Sequence, residues 1–310
     1  MNRKTLLPLL VILALTIATP AFGQAQGQFD RTLKVTAAPD VEVSTGSGDI
    51  MVRTGDTASV RVIGRIRASN NMSSWFGGGA SAEAKVKRIE ANPPIEQTGN
   101  MIRIGRIDDP ELRRNISISY EVTVPAATTL RASTGSGNTD VQGLTSPTKV
   151  STGSGDVNVR NISAEVRANT GSGNVQAADI KGAFHGDTGS GDIAVRGAGT
   201  GDVFVSTGSG NIEVQEMRGT LRARTGSGDV SVGGVASSNW DVQTGSGNVT
   251  LHLPSNAAFE LNAQTSSGSI DVNREITMSG QINKHHIRGK VNGGGTLLTL
   301  RTGSGDIQIR

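Results

Sequence analysis

The sequence contains no cysteine and few aromatic residues. Of 310 residues, six are Phe, two are Trp and one is Tyr. Without Cys the chain can form no disulfide, thiol nucleophile or thiolate metal ligand. A globular enzyme of this length usually buries more large side chains. The apolar residues here are mostly Val, Ile, Leu and Ala, which suit β-strands around a narrow core.

The amino terminus has the pattern of an export signal. Arg3 and Lys4 precede an apolar stretch from Leu6 to Ile17, and Ala21–Gly23 fits a cleavage site. A membrane anchor is the alternative, but a spanning helix needs about 20 apolar residues. We expect residues 1–23 to be a signal peptide. The exported chain is then periplasmic, cell-surface or extracellular, and it is not an integral membrane protein.

The net charge of the chain is also small. The formal net charge is +3 with a hydrophobic fraction of 35%, a balance that favours a folded chain over a disordered one. Removal of the signal leaves a charge of about +1. This near-neutral balance argues against nucleic acid as a partner.

A four-residue motif, Thr-Gly-Ser-Gly, recurs along most of the chain. It starts at Thr45, Thr134, Thr152, Thr170, Thr188, Thr207, Thr225, Thr244 and Thr302, and Thr265 begins a Thr-Ser-Ser-Gly variant. From Thr134 to Thr265 the spacings are 18, 18, 18, 19, 18, 19 and 21 residues. The 37 residues from Thr265 to Thr302 fit two further turns, one with a degenerate motif.

Apolar residues hold fixed positions relative to each motif. Five and seven residues after Thr stand Val157 and Val159, Val175 and Ala177, Ile193 and Val195, Ile212 and Val214, Val230 and Val232, and Val249 and Leu251. Four and two residues before it stand Val166 and Ala168, Val203 and Val205, Leu221 and Ala223, Trp240 and Val242, and Leu261 and Ala263. A further apolar site holds Leu144, Ile162, Ile180, Ala198, Met217 and Val235. This alternation predicts at least two strands per repeat, each with one buried face.

Stacking of the repeats buries those faces. We predict an all-β fold, a single-chain parallel β-solenoid with coils of about 18 residues spaced roughly 4.8 Å apart. The Gly residues would form corners that take positive φ, and Thr and Ser would bond to stacked partners.

The residue after Gly-Ser-Gly alternates between Asn and Asp. The series is Asn138, Asp156, Asn174, Asp192, Asn211, Asp229 and Asn248. Stacked Asp side chains about 5 Å apart would repel by roughly 1 kcal/mol in water-like surroundings. We therefore predict a surface ladder in which Asn amides donate to Asp carboxylates.

The chain before the regular array is different. We predict an irregular N-terminal β region over 24–125 and the regular solenoid over 126–310. Strands are predicted over Phe29–Val43, Ser59–Ala68, Ile102–Ile107 and Ile116–Val124. A Gly/Ser-rich loop is predicted over 70–81, and it carries Trp75 and Phe76. These two aromatic side chains could form a contact patch for a partner. We favour the alternative, in which they fold over the open end of the stack. The last residues, Asp306 to Arg310, predict a bare final strand whose edge can pair with another chain.

Tyr-x-Val-x-Val-Pro at 120–125, followed by repeated Thr-Gly-Ser-Gly-Asp/Asn-Val-x-Val units, carries a family resemblance. An exported chain of this kind resembles the bacterial putative-adhesin family of β-strand-repeat proteins, related to head domains of proposed autotransporter adhesins. The resemblance spans 29–310. It implies a solenoid fold and a surface or envelope setting.

Catalytic motifs are missing from the sequence. It has no His-Glu-x-x-His, Gly-x-Ser-x-Gly or phosphate-binding loop. Its histidines are His185, His252, His285 and His286, and the adjacent pair would point to opposite faces of a strand. We therefore predict no catalytic, cofactor-binding or metal-binding residue and no cofactor.

Two alternatives stay open beside a non-enzymatic role. One is a polysaccharide lyase or hydrolase on a β-helix, which needs a local cluster of carboxylates or a basic residue in a sugar-lined groove. The other is a calcium-stabilised repeat protein, although alternate motifs carry Asn where calcium favours carboxylates. The sequence favours an adhesin or a cell-envelope structural or binding scaffold, with surface glycans or envelope proteins as partners.

Overall fold

The computed structural model describes residues 25–36, 38–69, 81–197, 199–278 and 283–310. The predicted signal peptide and the predicted position of Trp75 and Phe76 lie outside these ranges.

Each repeat contributes one strand to each of two sheets. Sheet A contains, from the repeats, β9 (Thr139–Gln142), β11 (Val157–Ile162), β13 (Val175–Ile180), β15 (Ile193–Arg196), β17 (Ile212–Met217), β19 (Val230–Gly234), β21 (Val249–His252), β23 (Ile270–Val272) and β27 (Ile307–Ile309). Sheet B contains β8 (Thr129–Thr134), β10 (Thr148–Thr152), β12 (Val166–Thr170), β14 (Phe184–Thr188), β16 (Val203–Ser209), β18 (Leu221–Ser227), β20 (Trp240–Ser246), β22 (Phe259–Ser267) and β26 (Thr296–Ser304).

The coils stack in register, as predicted. Thr152 lies beside Thr170 in sheet B, and Val157 lies beside Val175 in sheet A. Counting the terminal regions, the described strands make a 13-stranded sheet A and a 14-stranded sheet B. The fold is therefore a two-sheet parallel β-solenoid with additional antiparallel strands at its ends.

The core is a column of small and medium apolar side chains between the sheets. The predicted inward positions are buried, and so are Leu144, Ile162, Ile180 and Met217 at the further apolar site. Fully burying such a side chain contributes about 1.5–3 kcal/mol. Val235, at the same site, is instead 47% exposed, because it lies in the wider turn after β19. Ala198 lies outside the described residues.

A second corner lies opposite the Gly corner. Asn161, Asp179 and Glu216 have φ of 55–59°, and Gly143 and Gly197 are also positive in φ at the equivalent turns. Asn, Asp and Gly tolerate this left-handed conformation best. It turns the chain just before the residue of the further apolar site, and the apolar alternation of the sequence does not indicate it.

The region before the regular repeats mixes parallel and antiparallel strands. It contains β1 (Ala25–Lys34), β2 (Asp40–Thr45), β3 (Ile50–Thr54), β4 (Ser59–Ala68), helix α1 (Ala82–Ala91), β5 (Ile95–Thr98), β6 (Met101–Ile104), helix α2 (Pro110–Arg113) and β7 (Ile116–Val124). Strands β2 and β3 form the first coil and pair in parallel with β8 and β9. The predicted strands β4 and β7 are confirmed, and the strands predicted over Phe29–Val43 correspond to β1 and β2. The strand predicted over Ile102–Ile107 is β6, which ends at Ile104.

Helix α1 was missed by the sequence analysis. It begins after Ser81, whose side chain accepts a hydrogen bond from the Ala84 N–H. Its buried residues include Val86 and Ile89, and it packs against β1 and β4. The Glu90 carboxylate accepts the Gln28 N–H of the edge strand β1 at 2.8 Å. The helix thus covers part of an otherwise open sheet edge.

The carboxyl-terminal coil is inside the stack, contrary to prediction. Strand β27 pairs with β21 on one side and β23 on the other, and β26 lies between β20 and β22. The 37-residue interval therefore does not hold two successive coils. Instead, β24 (Thr277–Met278) and β25 (His286–Val291) continue sheet B beyond β22 as antiparallel strands. The chain then returns to insert its last coil one position earlier.

Candidate binding groove

From Thr134 onward each motif Thr is buried, and its hydroxyl joins two coils, whereas Thr45 in the first coil is half-buried. The Thr170 Oγ1 donates to the Gly155 carbonyl at 2.8 Å and accepts the Gly173 N–H at 3.1 Å. Farther along the stack the corner takes another form. The Thr225 Oγ1 still donates to a carbonyl of the preceding coil. Here, however, the second Gly of the motif donates its N–H to the Ser246 carbonyl of the next coil, at 2.9 Å.

Close approach between coils explains the motif glycines better than positive φ. A Cβ on Gly155 would lie 1.9 Å from the Gly137 carbonyl oxygen, and one on Gly226 would lie 2.5 Å from that of Gly208. Positive φ in the motif is found only at the second Gly of the later coils, such as Gly228 with φ 151°. The predicted conformational role therefore applies to part of the array, whereas the steric role applies to every motif Gly from Gly135 onward.

The predicted Asp/Asn ladder exists, but its donors are different. From Asn138 onward, each backbone N–H in the column donates to the Oδ1 of the residue in the adjacent coil before it, at 2.7–2.9 Å. The column runs Asp49, Asn138, Asp156, Asn174, Asp192, Asn211, Asp229, Asn248, Asp306 and Ser269. Main-chain groups thus replace the expected Asn amides. Hydrogen bonds from the backbone and side chain of Ser269 hold the pKa of Asp306 below its usual value.

A groove of about 510 Å³ follows the corners of the later coils on sheet B. Its floor consists of motif Thr and Gly residues. One wall is the row of side chains that directly precede each Thr, and we call it the groove row: Ser206, Arg224, Gln243, Arg301 and Gln264. Ser266 lies at the far end, where the motif departs from Thr-Gly-Ser-Gly. The groove exists because the Thr side chain points inward and the next residue is Gly.

The surroundings of the groove row carry excess positive charge. Asp241 lies 3.3 Å from Arg224 and 3.6 Å from Arg222, and Asp187 is in register with Ser206 at the other end of the row. The Gln243 side-chain amide also donates to Asp241, at 2.8 Å. Among the described residues Arg301 makes no ion pair, and its side chain is exposed. An anion entering the groove would therefore meet two guanidinium groups. That of Arg301 makes no ion pair with the described residues, and that of Arg224 shares the Asp241 carboxylate with Arg222.

Two smaller depressions lie elsewhere on the solenoid. One, of about 280 Å³, is on the outer face of sheet A, where Ala178 and Ala194 leave space between Arg160 and Arg196. Both arginines are paired, with Asp140 and Glu216 respectively. The other, of about 220 Å³, is lined by Arg131, Lys149, Arg167 and Glu165. Both are less extensive than the groove along the corners.

The histidines are dispersed. His185 lies in β14 and stacks on Phe204, with ring centroids 4.9 Å apart. His286 begins β25, and its Nε2 lies 3.0 Å from the Asn262 Oδ1. Within the described ranges, no three His, Cys, Asp or Glu side chains come close enough to hold a metal ion.

The parallel coils and the corner motif agree with a known family. The family model described as Toastrack DUF4097 matches residues 96–310, more than half of the chain. The chain belongs to the Toastrack DUF4097 family. The family resemblance carried by the repeated motif is thereby confirmed. No curated protein matches this toastrack chain.

Several solved structures are similar to it. A putative adhesin from Bacteroides fragilis is 12% identical, with 92% of this chain and 97% of that chain covered and a TM-score of 0.35. A putative lipid binding protein from Parabacteroides distasonis is 13% identical, with 91% and 96% covered and a TM-score of 0.40. A putative cell adhesion protein from Clostridium sporogenes is 12% identical, with 92% and 99% covered and a TM-score of 0.23.

The described helices of the toastrack chain, α1 and α2, are short. In the ranges that the structure describes, no helix has the length and apolar character needed to cross a bilayer.

Proposed function

We propose that this protein is an exported, non-enzymatic adhesin or cell-envelope scaffold that contacts surface glycans or envelope proteins. The observation that carries the proposal is the groove on sheet B. It crosses five coils and is built from the repeat itself. A solenoid that presents such a continuous face is suited to an extended partner with a repeating structure.

The chemistry of the groove supports binding rather than hydrolysis. Glycosidases usually place two carboxylates on either side of the scissile bond. The described lining of the groove consists of Arg, Gln, Ser, Thr and Gly residues and contains no carboxylate. Arg and Gln supply hydrogen bonds for recognition but no acid and base pair at neutral pH.

The rigidity of the groove also supports a binding role. Its floor contains buried hydroxyls such as that of Thr244, which donates to the Gly228 carbonyl at 2.9 Å. Adjacent coils are joined by continuous backbone ladders. A site held in this way loses little conformational freedom when a ligand binds.

Cell fractionation combined with protease treatment of intact cells tests the location. We expect the protein in the envelope fraction, with protease sensitivity separating a surface protein from a periplasmic one. A periplasmic marker that stays intact is the control for cell lysis. Recovery of the protein only from the cytoplasm would contradict the proposal.

Incubation with a panel of polysaccharides tests the absence of catalysis. We expect retention of the protein on one or more polysaccharides without new reducing ends or unsaturated sugar products. Release of such products would support the lyase or hydrolase alternative instead. Melting curves in calcium and in chelator should coincide, and a large rise with calcium would favour the calcium-stabilised alternative.

A further inference from the structure

Along the groove row, a charged side chain alternates with a neutral one. In coil order the row reads Ser206, Arg224, Gln243, Arg301 and Gln264, each in register with its neighbour. The order along the chain is different, because Arg301 follows Gln264 in sequence. Insertion of the last coil between β20 and β22 creates the alternation.

We propose that the groove binds a linear acidic polysaccharide in which an anionic sugar alternates with a neutral one. This inference rests on the proposed function and specifies its ligand. Successive coils are roughly 4.8 Å apart, so the Arg224 and Arg301 positions are about 9.6 Å apart along the stack. A polysaccharide whose sugars repeat at about this spacing would place one sugar on each coil. The two arginines then meet every second sugar.

The side chains suit those two kinds of sugar. A guanidinium binds a carboxylate through two parallel hydrogen bonds, and it keeps its charge at any physiological pH. The amides of Gln243 and Gln264 can both donate to and accept from sugar hydroxyls. Arg301 is the stronger anion site of the two, because Arg224 already shares Asp241 with Arg222.

The groove fits a polysaccharide better than an anionic membrane. Peripheral membrane binding usually combines basic residues with apolar side chains that enter the lipid. The described lining of the groove contains Thr but no Leu, Ile, Val, Met or aromatic residue. The groove is instead a narrow polar channel along the stack, whose side chains can form hydrogen bonds with the hydroxyls and carboxylates of a sugar chain.

The need to keep like charges apart within the stack does not by itself explain why arginines alternate with neutral residues in the groove row. The Asp/Asn ladder also alternates, and the coils of Arg224 and Arg301 carry Asp229 and Asp306. Earlier coils keep the ladder without any arginine in the equivalent position. The coil of Asp156, for example, has Ser151 there. The arginines are therefore a feature of the groove rather than of the ladder.

Titration calorimetry with the full exported chain and a hyaluronan octasaccharide tests the inference, since hyaluronan carries one carboxylate per disaccharide. We expect binding that weakens with salt. Arg301→Gln should lower affinity roughly tenfold or more, and Arg224→Gln should lower it less. Arg301→Lys keeps the charge without the paired hydrogen bonds, so it should restore affinity only in part. Arg160→Gln, on the outer face of sheet A, is the matched control and should bind as the parent does.

Three results would overturn the inference. One is equal binding of carboxyl-reduced hyaluronan, and another is unchanged affinity in Arg301→Gln. The third is binding of phosphatidylglycerol vesicles, but not of the octasaccharide, through the same arginines. Equal melting temperatures of parent and variants show that the fold is intact. If the protein lies at the cell surface but does not bind the octasaccharide as expected, only the assignment of this ligand is wrong. A protein that binds the octasaccharide but stays in the cytoplasm contradicts the proposed function instead.

Discussion

The motif Thr is the residue on which the solenoid corner depends. Its side chain occupies an inward position otherwise held by Val, Ile or Ala, yet its hydroxyl reaches the carbonyl of the neighbouring coil. A buried polar group is tolerated only when it is bonded. In the early coils the Thr hydroxyl forms hydrogen bonds with two backbone groups, a carbonyl and an N–H. In the later coils it forms one, with a carbonyl.

Replacing this Thr by Val should therefore cost more in the early coils than in the later ones. Thr170→Val leaves both the Gly155 carbonyl and the Gly173 N–H without their partner, so we expect a loss of about 3 kcal/mol in the free energy of unfolding. Thr225→Val removes one bond and should cost about 1.5 kcal/mol. Chemical denaturation measures both, with the outward-facing Thr250→Val as control. Equal losses at the two corners would contradict the two-form description.

At the scale of elements, the sequence predicted which segments are strands better than it predicted their order. Period-two alternation marks a strand wherever it lies, and β4 and β7 have the predicted limits. Motif spacing counts residues per coil, however, and contains no information on which coil lies next to which. This is why the interval after Thr265 was interpreted as two successive turns.

A signal for the true order was present in the ladder. After Asn248 the alternation requires Asp, which Asp306 supplies and Ser269 does not. Helix α1 also had a signal, because Ser81 precedes apolar residues at helical spacing, Ala82, Val86 and Ile89. It was overlooked because the adjoining Gly/Ser-rich segment suggested a loop.

The position of the last coil predicts strong protection from hydrogen exchange. Strands β26 and β27 are bonded on both sides, so their amides should exchange as slowly as those of β20 and β21. Strand β23 lies at the edge of sheet A and should exchange faster, although it is earlier in the chain. Mass spectrometry of peptides from the two regions makes the comparison. Rapid exchange over 296–309 would support the bare terminal strand that the sequence suggested.

At the scale of the whole molecule, the groove is a feature that could not be predicted from the sequence. The motif residues, Arg224, Gln243 and Gln264 are visible in the sequence, but Arg301 joins them only through the inserted coil. A surface made of one residue per coil is defined by coil order. The same dependence on the complete stack applies to the ladder, which connects the first coil to the last.

The ladder makes a final prediction about charge along the whole stack. In the variant Asn174→Asp, Asn211→Asp, Asn248→Asp each new Oδ1 can still accept its backbone N–H, but carboxylates then occupy consecutive coils. Each new neighbouring pair costs roughly 1 kcal/mol at about 5 Å in water-like surroundings, so the melting temperature should fall at low salt. In about 1 M salt, where the screening length is about 3 Å, most of the loss should disappear. The matched control replaces the same residues by Ser, the residue found at Ser269, and its smaller loss should not depend on salt. A loss in the Asp variant that salt leaves unchanged would mean that geometry, and not repulsion, maintains the alternation.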